Sequence, residues 1–565
     1  MKRWITFAGI VLLGVASVVV SERRKVDVPA SPAALLYLVA DTEQELTRMP
    51  VSFTRMSDAE EIRIGDELAR SYATEERDNT PEAAIVEHYL TRVGEQVARD
   101  AHRRLPYKFH YIPNPYLINA FALPGGHVYV GGGLLALMDS EDELAAVIGH
   151  EIEHIDHYHC AERAQREQAL RRIPLGELMA LPIEVFEAGY SKDQELEADR
   201  EGTRLAVEAG YSATGAIRMF EAFGRLFEEY QGRAKTPQEE LSRMAEQTLE
   251  GYFRSHPLPS ERIAQVQKMI ASEGWVARPE RDLKVAYIFW TTKARNTLNA
   301  KKYAQAEQLA NQSLRLRPDQ PKALQVLAQA QFAQANFSGA AAAYRKILEI
   351  DNTTHPEIIA AYAQALAAAD RRSAAAEYRQ WAKGIKGEKP REVDVAAAGL
   401  AILVGDSEPA RKLEIELKQS GDGQGPLWIG ELGWWNYLDG NYQKAVELLS
   451  ETKQQRPGDV KVGLQLAWAE IEIRRYADTL QTLESTVYEM QTDPERAMVR
   501  AVARWQAQEH DQALLDFNVA MAGQPEWDNS SWVRALYSPL VAQSVREMQA
   551  ERERRKQKAR AVASR

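Results

Sequence analysis

Cysteine is nearly absent from this chain of 565 residues, in which Cys160 is the only example. A single cysteine can form neither an intramolecular disulfide nor a thiolate metal site, so both are excluded. No cysteine lies near the N-terminus either, so a lipid anchor is not expected there. Cys160 itself is expected to be a small buried hydrophobic residue.

An excess of positive charge is also missing, because the formal net charge is -11. No basic stripe with interleaved aromatic residues occurs, and a chain of this charge would repel a phosphate backbone. Nucleic acid is therefore not expected as a partner.

Long apolar runs are missing except for one, from Trp4 to Val20, which follows Lys2 and Arg3. This pattern is typical of a secretory signal peptide, and the run is slightly short for a membrane span of about 20 residues. Positive charges at residues 23–25 leave an uncleaved anchor open as an alternative. We expect an exported protein whose residues 1–21 are a signal peptide or a membrane anchor, with membrane contact only through that segment if it stays uncleaved.

Histidine and a sequence repeat divide the chain, which is too long for one hydrophobic core. Nine of the 11 histidines lie between His88 and His256, which assigns the chemistry to the first half. In the second half, related residues recur with the 34-residue tetratricopeptide period, each followed three residues later by a small residue. They are Tyr303, Phe337 and Arg371, and then Tyr442, Tyr476 and His510.

Residues 283–545 are therefore predicted to form an α-solenoid of tetratricopeptide repeats, with about seven helix pairs. An irregular alanine-rich helical bundle would not keep this period. A charged tail is expected at 546–565. The remaining domain, residues 27–270, has strand patterns at Lys108–Ile112, Leu117–Leu123 and His127–Val130 between helical patterns. It is predicted to be mainly α with a small β-sheet.

A metal-binding pattern, His150-Glu151-Ile152-Glu153-His154, stands within a predicted helix from Glu143 to His159. The four-residue spacing places both imidazoles on one face of the helix, one turn apart, where they can bind one metal ion. Glu151 is then directed toward a water molecule beside the metal, which suits a general base.

A catalytic zinc needs a third protein ligand and one open position. The metzincin pattern, in which Gly and His follow the second ligand, is excluded because His157 and Cys160 stand at those places. A continuous helix would also carry His157 and His159 away from the metal.

The best candidate for the third ligand is Glu195, which lies 41 residues after His154 in the acidic segment Glu195-Leu196-Glu197-Ala198-Asp199. Asp199, one helical turn further on, is placed to accept a hydrogen bond from a ligating imidazole. Glu197 is expected to be solvated. If Glu195 were not the ligand, His256 or Asp199 would be the next candidates.

These two motifs and a third, His256-Pro257-Leu258-Pro259-Ser260-Glu261-Arg262, together resemble the gluzincin metallopeptidases related to the CAAX prenyl protease. With the signal segment and the C-terminal repeats, the chain is most similar to the periplasmic β-barrel assembly-enhancing proteases of that group. The chain departs from the prenyl protease in having no further long apolar spans, so prenylated substrates are not expected.

The resemblance implies one zinc ion per chain, bound by His150, His154 and Glu195, with Glu151 as the base. It places His256 and Arg262 at the zinc cleft, where we expect His256 to act as a latch on the open metal position. Arg262 is expected to stabilise the developing oxyanion. The segment Asn119-Ala120-Phe121 is similar to the edge strand with which such enzymes bind an extended substrate.

Protein substrates follow from the same resemblance, namely outer-membrane β-barrel proteins and their assembly machinery, in the periplasm. The function expected is that of a zinc-dependent endopeptidase for unfolded or misassembled envelope proteins, with the repeats as the docking surface. The alternative is a repeat-based chaperone or assembly scaffold with a latent zinc site.

Overall fold

A computed structural model describes most of the chain from Met56 to Ala563. The described residues are 56–73, 80–171, 190–231, 259–276, 278–351, 355–385, 389–419, 423–486 and 493–563. The chain divides into two compact units between Ala286 and Tyr287. The expected signal segment lies outside the described residues, and none of the described helices is long and apolar enough to cross a membrane.

Helices surround a small sheet in the first unit. The strands are β1 (Lys108–Ile112), β2 (Ala120–Leu123) and β3 (His127–Gly131). The helices are α1 (Asp58–Ala73), α2 (Pro81–Ala98), α3 (Gly132–Leu135), α4 (Glu141–Asp156), α5 (His159–Arg171), α6 (Lys192–Glu208), α7 (Thr214–Gln231) and α8 (Pro259–Glu273). This arrangement confirms the prediction of a mainly α domain with a small sheet.

The central strand of the sheet is β3, which runs parallel to β1 and antiparallel to β2. A tight turn joins β2 to β3 and contains Gly125 and Gly126, with φ angles of 79° and 107°. Glycine is favoured there because other residues are strained at positive φ. Within the described part of the chain β2 pairs only with β3, so β2 is an edge strand.

Helix α4 begins with a capping box, in which Ser140 accepts from the Glu143 N–H while the Glu143 carboxylate accepts from the Ser140 N–H. The helix ends with His157 as its C-cap residue. Tyr158 has a φ of 63°, a left-handed conformation with which an α-helix cannot continue. A new helix, α5, begins at His159. The prediction of one continuous helix from Glu143 to His159 is therefore wrong at its C-terminal end.

Helices α4 and α6 approach each other closely through two glycines. A Cβ atom on Gly149 would lie 2.4 Å from the Gly202 carbonyl oxygen. A Cβ atom on Gly202 would lie 2.5 Å from the backbone nitrogen of His150. Any side chain at these positions would push the helices apart. The contact places the carboxylates of α6 beside the imidazoles of α4.

Antiparallel helix pairs form the chain from Ala286 onward. They are α9 (Ala286–Asn299), α10 (Tyr303–Leu316), α11 (Pro321–Ala333), α12 (Phe337–Asp351), α13 (Pro356–Ala369), α14 (Arg371–Lys383), α15 (Arg391–Ile402), α16 (Glu408–Gln419), α17 (Gly425–Asp439), α18 (Tyr442–Gln455), α19 (Val460–Glu472), α20 (Tyr476–Ser485), α21 (Pro494–Gln506) and α22 (His510–Gly523). A 3₁₀ turn (Pro525–Asp528) and helices α23 (Ser530–Leu536) and α24 (Pro539–Ala563) follow.

The small residues of the repeat pattern lie where the helices of a pair meet. Each is at most 1% exposed, and the set comprises Ala306, Ala340, Ala374, Ala445, Thr479 and Ala513. The prediction of an α-solenoid is confirmed. Most of the charged tail expected at 546–565 belongs to α24, in which Met548 is fully buried while the charged residues from Glu553 to Arg560 are exposed.

Candidate metal centre

Three donor groups converge between α4 and the first turn of α6. His150 Nε2 lies 3.1 Å from His154 Nε2, and Glu195 oxygens lie 3.4 Å and 3.6 Å from the two nitrogens. All three residues are buried, and the Glu195 side chain is wholly inaccessible. The structure thus brings together the three ligands predicted from the sequence.

The spacing of these donor atoms fits a tetrahedral zinc ion. Bonds of about 2.0–2.1 Å at tetrahedral angles place neighbouring ligand atoms about 3.3–3.4 Å apart. The two nitrogens are 3.1 Å apart, Glu195 Oε2 lies 3.4 Å from His150 Nε2, and Glu195 Oε1 lies 3.6 Å from His154 Nε2, so each distance is close to that value. The two imidazoles and the carboxylate direct their lone pairs at a common point in a buried space. A cation bound at that point would accept these lone pairs and offset the cost of burying the three groups.

Asp199 lies behind His150, with Oδ1 2.9 Å from His150 Nδ1. The Arg262 guanidinium donates to both Asp199 oxygens, at 2.7 Å from Nε and 2.5 Å from Nη2, and it stacks on the Phe220 ring. Burial alone would raise the pKa of Asp199, but Arg262 and His150 hold it below its usual value. Asp199 is therefore a carboxylate oriented between a cation and a predicted ligand.

His159 lies behind His154, contrary to expectation. Because α4 stops and a new helix begins, the His159 ring turns back and its Nδ1 comes within 2.9 Å of His154 Nδ1. His159 stays outside the donor cluster, as expected, but the left-handed backbone at Tyr158 turns its ring against His154 instead of carrying it further away. Glu197, expected to be solvated, is only partly exposed and lies 3.6 Å from His159 Nε2.

Glu151 is buried beside the centre, with 6% of the residue exposed. Burial raises the pKa of its carboxyl to about 7, although the neighbouring His150 counteracts the rise. A carboxyl group with a pKa in this range can exchange protons near neutral pH, as general acid–base chemistry requires.

A pocket opens from Glu151 and His150 toward the end of strand β2. Its polar side includes Asn119 and Arg262. Its apolar side is formed by the α7 side chains of Ala216, Met219, Phe220 and Phe223 together with Leu134. The α7 residues escaped the sequence prediction because an aromatic stripe at helical spacing is indistinguishable from ordinary core.

The predicted substrate-binding segment is divided by the structure. Asn119 and Ala120 line the pocket, whereas the Phe121 ring is buried and stacks on Tyr129 at 5.0 Å. The Phe121 backbone faces Tyr129 of β3, because the Gly131 N–H donates to the Asn119 carbonyl and the hydrogen-bonded pairs of an antiparallel ladder alternate from there. The outward-facing backbone groups of β2 are therefore those of Ala120 and Ala122. His256 lies outside the described residues, and its role as a latch stays a prediction.

Comparison with known proteins locates this site within a family. A family model, that of peptidase family M48, matches residues 84–270, and a tetratricopeptide-repeat model matches residues 437–503. The chain carries a peptidase family M48 domain. All of the predicted ligands, with Glu151 and Arg262, lie inside the M48 domain, and the family implies a metal.

Relatives of the chain include named proteases. A putative beta-barrel assembly-enhancing protease of Vibrio cholerae is 32% identical over 229 residues, which are 36% of this chain and 43% of the relative. The beta-barrel assembly-enhancing protease of Escherichia coli K12 is 26% identical over 252 residues, 40% of this chain and 47% of the relative. Mitochondrial metalloendopeptidase OMA1 of Arabidopsis thaliana is 32% identical over 123 residues, 20% of this chain and 25% of the relative. The chain thus spans less than half the length of each relative.

Proposed function

We propose that this chain is a zinc-dependent endopeptidase of the bacterial envelope. The observation that carries the proposal is the convergence of His150, His154 and Glu195 beside the buried Glu151 carboxyl group. Two imidazoles and one carboxylate are a ligand set that zinc uses in catalytic sites, and three protein ligands leave a fourth position open.

Proton transfer in this site is assigned to Glu151. A zinc ion held by the three ligands would polarise the scissile carbonyl group and lower the pKa of a water molecule. Glu151 takes the proton from that water and passes it to the nitrogen of the leaving amine. Its pKa of about 7, raised by burial, suits both accepting and releasing the proton.

The edge strand β2 is proposed to bind the substrate backbone. An extended peptide can pair with β2 at Ala120, which lines the pocket, whereas the Ala122 carbonyl already lies 3.6 Å from Cys160 Sγ. Backbone pairing of this kind gives affinity with little sequence preference. Asn119 Oδ1 supports this proposal, because it is buried and has no hydrogen-bond partner among the described residues. It is therefore available to accept from a substrate N–H group.

The apolar side of the pocket suggests which residues are cleaved. Met219, Phe220 and Phe223 offer a hydrophobic surface next to Glu151, so a bulky apolar side chain beside the scissile bond would bind there. Such side chains are exposed in unfolded or misassembled proteins and hidden in folded ones. A peptidase with this preference suits protein quality control.

The names of the relatives suggest the clients, since two of those described above are beta-barrel assembly-enhancing proteases. We propose clients among outer-membrane β-barrel proteins and their assembly machinery, docking on the repeats in the periplasm. A scaffold function with a latent zinc site is the competing proposal, for which the solenoid of helix pairs is the supporting observation.

Replacement of Glu151 by Gln separates the two proposals. The amide keeps the size of the side chain but cannot take a proton. Glu151→Gln should therefore retain one zinc ion per chain, while its rate of peptide cleavage falls by a factor of about 100 or more. Glu153→Gln is the matched control, because Glu153 is also buried in α4 but contacts His157 instead of lining the pocket. Client maturation that continues unchanged in Glu151→Gln would favour the scaffold.

A further inference from the structure

The outer contact of His154 is a second histidine. His154 Nε2 faces the donor cluster, at 3.1 Å from His150 Nε2, while its Nδ1 faces His159 Nδ1 at 2.9 Å. His159 itself is only 5% exposed. An imidazole that binds a metal through one nitrogen is usually oriented by a partner on the other nitrogen.

The position of one proton follows from this geometry. If His154 offers the lone pair of Nε2 to a metal, its proton resides on Nδ1. Two ring nitrogens 2.9 Å apart share one proton, so His154 donates and His159 Nδ1 accepts. The remaining proton of His159 is then on Nε2, which lies 3.6 Å from a Glu197 oxygen.

Packing holds both rings in these orientations. The Tyr190 ring stacks on His154 with a centroid distance of 3.9 Å and lies 5.7 Å from the His159 centroid. The N–H of Tyr190 donates to Glu195 Oε1 at 3.1 Å, so the same residue also contacts the third predicted ligand. The His154–His159 contact therefore belongs to a fixed, buried arrangement.

We infer that His159 is a positioning residue for the metal centre: it accepts the Nδ1 proton of His154 and so keeps the His154 Nε2 lone pair directed at the ion, with the Glu197 carboxylate 3.6 Å behind it. This inference rests on the proposed zinc site. It assigns to His159 on one imidazole the part that Asp199 has on the other, 2.9 Å from His150 Nδ1.

The test is the zinc dissociation constant of the full chain, measured at one fixed pH by competition with a chelator. His159→Leu fills a similar volume but accepts no proton, and we expect it to weaken zinc binding by about 10- to 100-fold. His159→Asn places an amide oxygen near the position of Nδ1 and should restore much of the affinity. Glu197→Ala should weaken zinc binding by less than His159→Leu does.

His157→Leu is the matched control, since His157 is partly exposed and contacts Glu153 and Glu197 but none of the predicted ligands. It should leave the zinc affinity within about 3-fold of the parent, because the outer contacts of the ligands stay in place. Urea unfolding of the metal-free variants shows whether each one folds. If His159→Leu does not fold, His159→Phe takes its place, because a phenyl ring keeps the packing on Tyr190 but accepts no proton from His154.

Parent-like zinc affinity in His159→Leu would overturn the inference. So would equal losses in His159→Leu and His159→Asn, since His159 would then act through its volume alone. A parent protein that binds no zinc would instead refute the proposed function, so the two failures are distinguishable.

Discussion

Removing the Arg262 guanidinium tests what this residue does. In the structure both Asp199 oxygens accept from Arg262, and both side chains are buried, at 3% and 1% exposure. Arg262→Met keeps much of the volume but leaves the Asp199 carboxylate without its cation. Breaking a buried ion pair from one side costs about 3–5 kcal/mol, because an uncompensated charge stays in a medium of low dielectric constant.

The lower end of this range, about 3 kcal/mol, is expected for Arg262→Met, since Asp199 keeps His150 Nδ1 as a neighbour at 2.9 Å. The assay is urea unfolding of the metal-free chain. Unfolding is monitored by amide hydrogen exchange in α6, because that helix reports on the first unit alone. Zinc affinity should fall as well, because Asp199 orients His150.

Arg218→Met is the control for this prediction. Arg218 also pairs with a buried carboxylate, Glu143, at 3.0 Å, but its own side chain is 42% exposed. Its loss should cost less than about 1 kcal/mol, as partly solvated pairs do.

Stability of Arg262→Met within about 0.5 kcal/mol of the parent would refute the reasoning, since the pair would then not be desolvated. If peptide cleavage fell in that variant while stability and zinc affinity did not, Arg262 would act on the developing oxyanion, as predicted from the sequence.

Two further predictions concern the third ligand and a buried acid in the repeats. Glu195→Ala should lose the one zinc ion per chain, because a site with three protein ligands cannot lose a donor, and metal analysis of the purified protein measures this; unchanged zinc content would move the ligand role to Asp199 or His256. Burial raises the pKa of Glu470 from the usual 4.5 to about 7. The cost of ionising it in the folded state is thus absent below about pH 4.5, grows as the pH rises to 7 and reaches about 3 kcal/mol above that. Glu470→Gln should accordingly stabilise the second unit by about 2–3 kcal/mol at pH 8 and hardly at all at pH 4.5 in urea unfolding, and an equal effect at both pH values would contradict the assignment.

The sequence predicted the site where it followed regular helix geometry. The spacing of His150 and His154 fixes both imidazoles on one face of α4, and the acidic segment from Glu195 to Asp199 lies near the start of α6. These local rules need no tertiary information. The repeat period succeeded for the same reason, because each helix pair contacts mainly its neighbours.

Prediction failed where the backbone departed from regular helix. No Gly or Pro marks the end of α4, and Tyr158 adopts a positive φ that is uncommon for a residue with a side chain. The contact of His159 with His154 was therefore not predicted, nor was the proximity of Glu197 to His159. The order of the strands was likewise not predictable, since alternation of apolar residues indicates which face is buried but not which strand lies at the edge.

One short segment of α6 supplies the carboxylates that lie beside the three histidines of the centre. Glu195, Glu197 and Asp199 alternate along the first two turns, and they reach the donor cluster, His159 and His150 respectively. Ligand and outer contacts are thus displaced together if α6 moves relative to α4. The glycine contact between the two helices fixes that distance, which makes the backbone packing as much a part of the metal centre as the side chains that face it.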